Sequence, residues 1–345
     1  MTLQFNGTNI SNVADVQFNG VSINTLQWGG GVIWQRDTIY GDGSNGIVTY
    51  NANTSVASVN ATTLTVKSGV TLKPTARLTP MILRATKSIT IEEGAVLNAD
   101  GKGYNNGESN NKFNLAISSH GGAGSCGISG GGFLANAGVV TPGGRAVSVN
   151  TFLEYIQQHY RELLVNGDTN IIPLFGGGGG GTASDSWCYG GGCILLVAPV
   201  INFNGIGQVR GLPGYGQSWN GAGGGGGGWF GMFGKTLNLG TNYSIEACGG
   251  GGGGGHWNGS ATGGVWQNGG NSYGNGFTMG GGGGGSTALN ANGGTPGVGG
   301  YGTQYTGFAG STDGTGGGGG NYTGSDRGGR GGAGGGAGKI SWLQI

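Results

Sequence analysis

Short runs of alternating apolar and polar residues, broken by turn dipeptides, fill the first part of the chain. Leu3-Gln-Phe5-Asn-Gly7 returns as Val16-Gln-Phe18-Asn-Gly20, and Leu26-Gln-Trp28-Gly-Gly30 is a degenerate third copy. An apolar-polar-apolar run followed by Asn-Gly or Gly-Gly is a hairpin signal, because these residues accept the positive φ that tight turns need. Val32-Ile-Trp34 closes the unit. A module this small buries little surface alone. Residues 1–36 therefore read as an attachment module in which Phe5, Phe18, Trp28 and Trp34 meet a partner, with a small cap on the next domain as the competing reading.

A second period follows. Leu64-Thr-Val66-Lys-Ser-Gly69-Val-Thr-Leu72-Lys73 matches Ile89-Thr-Ile91-Glu-Glu-Gly94-Ala-Val-Leu97-Asn98 position for position. Two alternating strands around a glycine turn, recurring at a fixed offset, fit a coil of a β-solenoid or the strands of a sandwich. Val200-Ile-Asn-Phe203-Asn-Gly205 repeats the pattern much later, so strands are expected to continue through the second half. Between lies one helical pattern, at about 151–165. Thr151-Phe-Leu-Glu154 has capping-box spacing, and Phe152, Tyr155, Ile156, Tyr160, Leu163 and Leu164 form an apolar stripe. The stripe is expected to pack on the β-repeat domain, residues 37–174, into which the helix is inserted.

From Phe175 to Ile345 glycine becomes the main material, with uninterrupted runs at Gly176–Gly181, Gly223–Gly228, Gly249–Gly255, Gly280–Gly285 and Gly316–Gly320. Flexible linkers also carry such runs. Here they recur many times and are flanked by bulky aromatics rather than Ser or Glu. Glycine has no side chain with which to make an ordinary core. Extended left-handed helices with three residues per turn are the natural ordered form, six glycines spanning roughly 19 Å. Their N–H and C=O groups need outside partners, which neighbouring glycine helices supply at close approach. The fold expected is mainly β with polyglycine II helices: N-terminal hairpins, a β-sandwich or β-solenoid middle, one α-helix, and a polyglycine lattice with protruding loops over 175–345.

Between the glycine runs, apolar strands are expected at Cys193–Ala198, Lys235–Leu239, Tyr243–Ala247 and Lys339–Ile345. The remaining segments are irregular and rich in aromatics, and are expected to leave the lattice as loops, since a Trp or Tyr ring cannot fit where glycine helices touch. They carry Trp187, Tyr189, Tyr215, Trp219, Trp229, Phe230, Phe233, Trp257, Trp266, Tyr273, Phe277, Tyr301, Tyr305 and Phe308. Rigid aromatics among Gly, Ser, Asn and Thr suit recognition, giving large contact area at low entropy cost, and aromatic faces suit sugar rings. Packing on the lattice flank as a substitute core is the competing reading.

Composition then narrows the function. The chain has 345 residues, 91 of them glycine, only 8% charged, with formal net charge +1; no basic face for nucleic acid follows. Cys126, Cys188, Cys193 and Cys248 follow neither zinc nor redox spacing, leaving buried thiols or one bridge, Cys188 to Cys193, as alternatives. The start lacks the charged and apolar regions of a secretory signal, and no apolar run reaches membrane-spanning length. Synthesis in a host cytoplasm is expected.

Catalytic patterns are weak. Trp229-Phe-Gly-Met-Phe-Gly234-Lys235-Thr236 lacks the first glycine of a phosphate loop. His120, His159 and His256 have no metal-helix spacing. Glu92, Glu93 and Asp100 lie on the repeat, but adjacent glutamates on a strand point to opposite faces, which argues against a hydrolytic pair. No enzyme activity, cofactor or metal is expected.

Polyglycine runs alternating with aromatic loops and closed by a short C-terminal strand resemble the receptor-binding adhesins at the long tail-fibre tips of T-even-type phages. The resemblance covers Phe175 to Ile345. It implies a virion protein whose loops meet a host outer-surface protein or glycan while the N-terminal part joins other tail or fibre proteins. A homo-oligomer is compatible with it. A purely structural virion protein, in which the loops pack against neighbouring subunits, is the alternative.

Overall fold

The computed structural model describes residues 38–104, 189–212, 224–249 and 338–345, the helical residues Tyr160, Arg161 and Leu164, and, elsewhere, the pairing of short strands. Those strands begin with three antiparallel hairpins. β1 (Gln4–Phe5) pairs with β2 (Thr8–Asn9), β3 (Val16–Phe18) with β4 (Val21–Ile23), and β5 (Thr25–Trp28) with β6 (Gly31–Gln35). The expected turn dipeptides fill the gaps between partners. Phe5, Phe18, Trp28 and Trp34 all sit on these strands.

After a 3-10 turn at Thr38–Tyr40, the chain winds into two parallel sheets. The larger holds β7 (Ile47–Tyr50), β9 (Ser58–Val66), β11 (Met81–Ile91), β13 (Cys193–Val197), β14 (Val200–Phe203), β17 (Trp229–Gly234), β18 (Thr236–Leu239) and β22 (Lys339–Gln344). The smaller runs β8 (Thr54–Ser55), β10 (Thr71–Lys73), β12 (Val96–Asn98), β15 (Ile206–Gln208), β19 (Ser244–Glu246) and β21 (Gly276–Thr278). Two further short strands, β16 (Gln217–Ser218) and β20 (Gly255–His256), pair with each other in parallel. Along the chain the strands pass repeatedly from one sheet to the other, and every pairing within each sheet is parallel.

The repeat read from sequence sets the stacking. Leu64 lies beside Ile89, and Ile89 beside Ile201; Val66 lies beside Ile91, and Ile91 beside Phe203. Leu72 and Leu97 stack in the smaller sheet. Gly69 and Gly94, the turn glycines of the two copies, both have positive φ, and the Gly69 N–H donates to the Gly94 carbonyl. The inward residues fuse into one core containing Leu64, Leu72, Ile89, Leu97, Ile201, Phe230 and Ile245. Lys67 and Glu92, at equivalent positions of the repeat, form an ion pair at 2.6 Å. The Lys67 hydrogen bond, followed by one from the Ser68 N–H, lowers the Glu92 pKa. This pair's stabilisation is present above the ordinary carboxylate pKa and fades as pH falls through the lowered one.

β11 is long enough to serve two strands of the next coil. Met81–Arg84 pair with β13, and Ser88–Ile91 with β14. The outer face of the first half is covered: Ile82, Cys193, Leu195, Val197, Trp229 and Phe233 form a second cluster with Ile39, Tyr40 and Leu164. Of the expected apolar stripe, Tyr160 and Leu164 are described, and both pack on this cluster. Leu164 is buried, and its carbonyl accepts a hydrogen bond from the Arg84 guanidinium at 3.0 Å. The rest of the expected helix lies outside the described residues.

Burial corrects the reading of Trp229, Phe230 and Phe233 as loop residues. They form β17, paired with β13 on one side and β22 on the other, and all three are fully buried. A parallel strand covered on both faces carries a continuous apolar run instead of alternation, and aromatics favour strands. Trp229 donates its indole N–H to Ser341 Oγ at 2.9 Å and meets Phe233 edge-to-face on the outer side. Phe230 points inward against Phe203, ring centroids 5.7 Å apart.

Candidate functional site

A third set of segments is joined by backbone hydrogen bonds outside the strands. Each strand of the smaller sheet from β12 to β19 leads into a glycine-bearing segment that runs away from the sheets: Ala99–Tyr104, Val209–Leu212 and Ala247–Gly249. These lie parallel, the Ala99 and Gly101 N–H groups donating to the Gln208 and Arg210 carbonyls, and those of Val209 and Gly211 to Glu246 and Cys248. Returning segments, Tyr189–Gly192 and Gly224–Gly228, run antiparallel to them into β13 and β17. Gly190 N–H donates to Tyr104, Gly192 to Ala99, Gly225 to Leu212 and Gly228 to Val209. All glycines from 224 to 228 are buried.

At four glycines of this layer no side chain could enter. A Cβ on Gly191 would strike the Val209 carbonyl, on Gly211 and Gly225 the carbonyls of Gly225 and Tyr189, and on Gly228 that of Gly192. Each obstacle is backbone and cannot swing aside.

Residues 105–188 stand in sequence between Tyr104 and Tyr189, residues 213–223 between Leu212 and Gly224, and residues 250–337 between Gly249 and Gly338. The ends of the first two meet in one hydrogen-bonded rim: Gly190 to Tyr104 at 2.9 Å, Leu212 to Tyr189 at 2.8 Å, and Gly225 to Leu212 at 2.8 Å. Gly249 ends the neighbouring parallel segment, on the same side. β16 and β20, one in the second stretch and one in the third, pair directly. Tyr189 stands half-buried on this rim, with the Arg77 guanidinium 5.3 Å above its ring. That Arg also donates to the Gly103 carbonyl at 3.3 Å.

Comparison with family models, curated proteins and solved structures finds no match.

Of the recognition residues expected from sequence, Tyr189 is on the rim, and Trp229, Phe230 and Phe233 are in the core. Phe277 is on β21, where only pairing with β19 is described. Trp187, Tyr215, Trp219, Trp257, Trp266, Tyr273, Tyr301, Tyr305 and Phe308 lie outside the described residues. By sequence position, all of these belong to the three stretches 105–188, 213–223 and 250–337. Cys193 and Cys248 are buried thiols, and burial pushes Cys193 up to about 12; Cys126 and Cys188 are outside the described residues.

One feature was not read from sequence. At the root of the outgoing segments Arg210 bridges two carboxylates, with Nη2 2.6 Å from Asp100 Oδ2 and Nη1 2.9 Å from Glu246 Oε2, while its own N–H donates to Asp100 Oδ1 at 2.7 Å. Burial works against the Arg210 charge, but the hydrogen bonds and charge of Asp100, with Glu246 behind it, outweigh it and raise the pKa. The clamp ties three coils together where the glycine layer begins. Asp100 is thus held in a structural pair. Glu92 and Glu93 lie in the turn after β11, not on a strand, and Glu93 accepts from Asn242 at 2.8 Å. Arg210→Gln is expected to lower stability by roughly 2 kcal/mol, less than the ~3–5 kcal/mol of breaking a fully buried pair because this one retains some exposure; urea unfolding at neutral pH measures it.

Proposed function

We propose that this chain is a phage virion receptor-binding protein, a tail-fibre or tail-tip adhesin, that recognises a host-surface protein or glycan through aromatic loops on a rigid polyglycine scaffold. The observation that supports it is the rim, where the described residues flanking two of the aromatic-bearing stretches of sequence, Tyr104 with Gly190 and Leu212 with Gly225, are joined by backbone hydrogen bonds. Such a platform gives loops a fixed spacing without restricting their sequence. Within the layer, Gly225 and Gly228, three residues apart, both donate to one neighbouring segment. A three-residue spacing of like-directed bonds is what a polyglycine II helix requires, and the longer runs from Gly249 onward extend the same lattice in this reading. The N-terminal hairpins attach the protein to its virion neighbours.

The test uses the full chain, since β13 and β14 stack directly on β11 and a fragment starting near Asn170 would lack it. Labelled protein is expected to bind intact host cells saturably and to compete with virions for adsorption. Alanine at Trp219 or Trp257 should weaken binding by roughly 30-fold if either is an anchor, the scale of an interface hot spot. A folded full-length chain that does not bind would leave the structural role. The burial of Trp229, Phe230 and Phe233 lends that second reading some weight, because it shows aromatics beside glycine runs serving as core.

A further inference from the structure

The larger sheet is open at its first strand. β7 pairs with β9 on one side, and among the described residues no strand pairs with its other side. Val48 and Tyr50 continue the inward columns of Leu64 and Val66, yet both are only half-buried, and Ile47 is 80% exposed, the one exposed large apolar side chain among the described residues. β8, the edge of the smaller sheet on the same coil, is exposed as well.

Edge strands are normally protected against pairing by charge, proline or a bulge. None of these protections is present here. From Gly43 to Val66 the sequence contains no Lys, Arg, Asp, Glu or Pro, and β7 pairs with β9 without irregularity. By contrast, Lys235 stands exposed beside β18 at the other end of the same column. An uncharged edge is also self-complementary, since no like charges meet when two copies approach about a twofold axis.

We propose that the β7 edge is an interaction surface for a second copy of this chain, the two β7 strands pairing antiparallel so that the larger sheets join. Opposed residues of an antiparallel pair share a face. The register that closes the core places Val48 against Tyr50 of the second copy and Thr49 against its own equivalent on the axis. Each copy thereby covers the half-exposed apolar pair of the other.

The experiment measures self-association of the full chain by sedimentation over a concentration series, with Thr49→Lys, Ile47→Lys and Thr49→Cys beside it. Both positions are exposed in the monomer, so the fold is not at risk, and circular dichroism checks this. The expected result is a concentration-dependent dimer that Thr49→Lys, which sets two ammonium groups face to face, weakens by more than about tenfold. Thr49→Cys should give a covalent dimer under mild oxidation, because directly opposed strand residues lie within disulfide range. Thr63→Cys, one strand inward, should not. A wild-type chain that stays monomeric to its solubility limit overturns the proposal, as does a dimer that survives both lysine variants or a cysteine pattern that does not favour Thr49. Capping of the edge by this chain's own hairpins, or by another protein's strand, would give the first of those results.

Discussion

Gly228→Ala is expected to be among the most destabilising single substitutions in the protein, at about 3 kcal/mol or more, the upper range for forcing atoms into a packed interior. The added methyl would meet the Gly192 carbonyl oxygen with the Gly191 backbone immediately behind it. Relief requires moving one of the two segments. Moving either strains the Gly228-to-Val209 and Trp229-to-Gly192 hydrogen bonds and displaces the start of β17. Helix or strand propensity would favour alanine, so a measured gain in stability would show that these segments are not close-packed. Gly46→Ala is the control. Nothing lies within 4 Å of its Cβ position, and its φ of 64° alone penalises the change, by about 1 kcal/mol. Chemical unfolding of both variants, with unchanged slope against denaturant, separates the close-packing cost from the generic cost of losing a glycine.

That contrast also marks how far the sequence could be read. The repeat relating Leu64 to Ile89 was legible because apolar alternation and a turn glycine recur together, and the stacking follows it residue for residue. Val200–Phe203 was legible for the same reason, despite the long insertion before it. Which strands would pair was not legible, because alternation within a strand says nothing about which strand lies beside it. β17 was misread since Trp229-Phe-Gly-Met-Phe-Gly234 has neither helical nor strand period; its two buried faces erase alternation. The glycine layer was legible in composition but silent on pairing, because a residue without a side chain carries no information about its neighbour. Asp100, Arg210 and Cys248 each follow the inward residue of their strand, Leu97, Gly207 or Ile245, by three positions. Aligning the strands on those inward residues would have set Asp100 beside Arg210, though not Glu246, which is level with Gln208.

Phe230→Ala is expected to cost about 3–5 kcal/mol, the range for truncating a buried aromatic, and its partner explains why that ring is tolerated at all. The inward column of the smaller sheet runs Leu72, Leu97, Gly207, Ile245, so one coil lacks a side chain where its neighbours have leucine or isoleucine. The Phe230 ring fills that gap. A Cβ built on Gly207 would lie 2.5 Å from Phe230 Cε2 and 3.1 Å from Cζ. The ring meets Phe203 edge-to-face on its other side, a geometry that adds about 0.5–1.5 kcal/mol beyond burial. Gly207 and Phe230 are therefore one packing unit contributed by different sheets. Gly207→Ala alone should destabilise by overpacking, about 1–3 kcal/mol. Placed on Phe230→Leu, whose smaller side chain vacates the ring's far edge, the same alanine should be nearly neutral. The interaction energy from that double-mutant cycle should exceed about 1 kcal/mol in the favourable direction. Strict additivity of the two changes would mean that the space at Gly207 is set by the backbone and not by the ring.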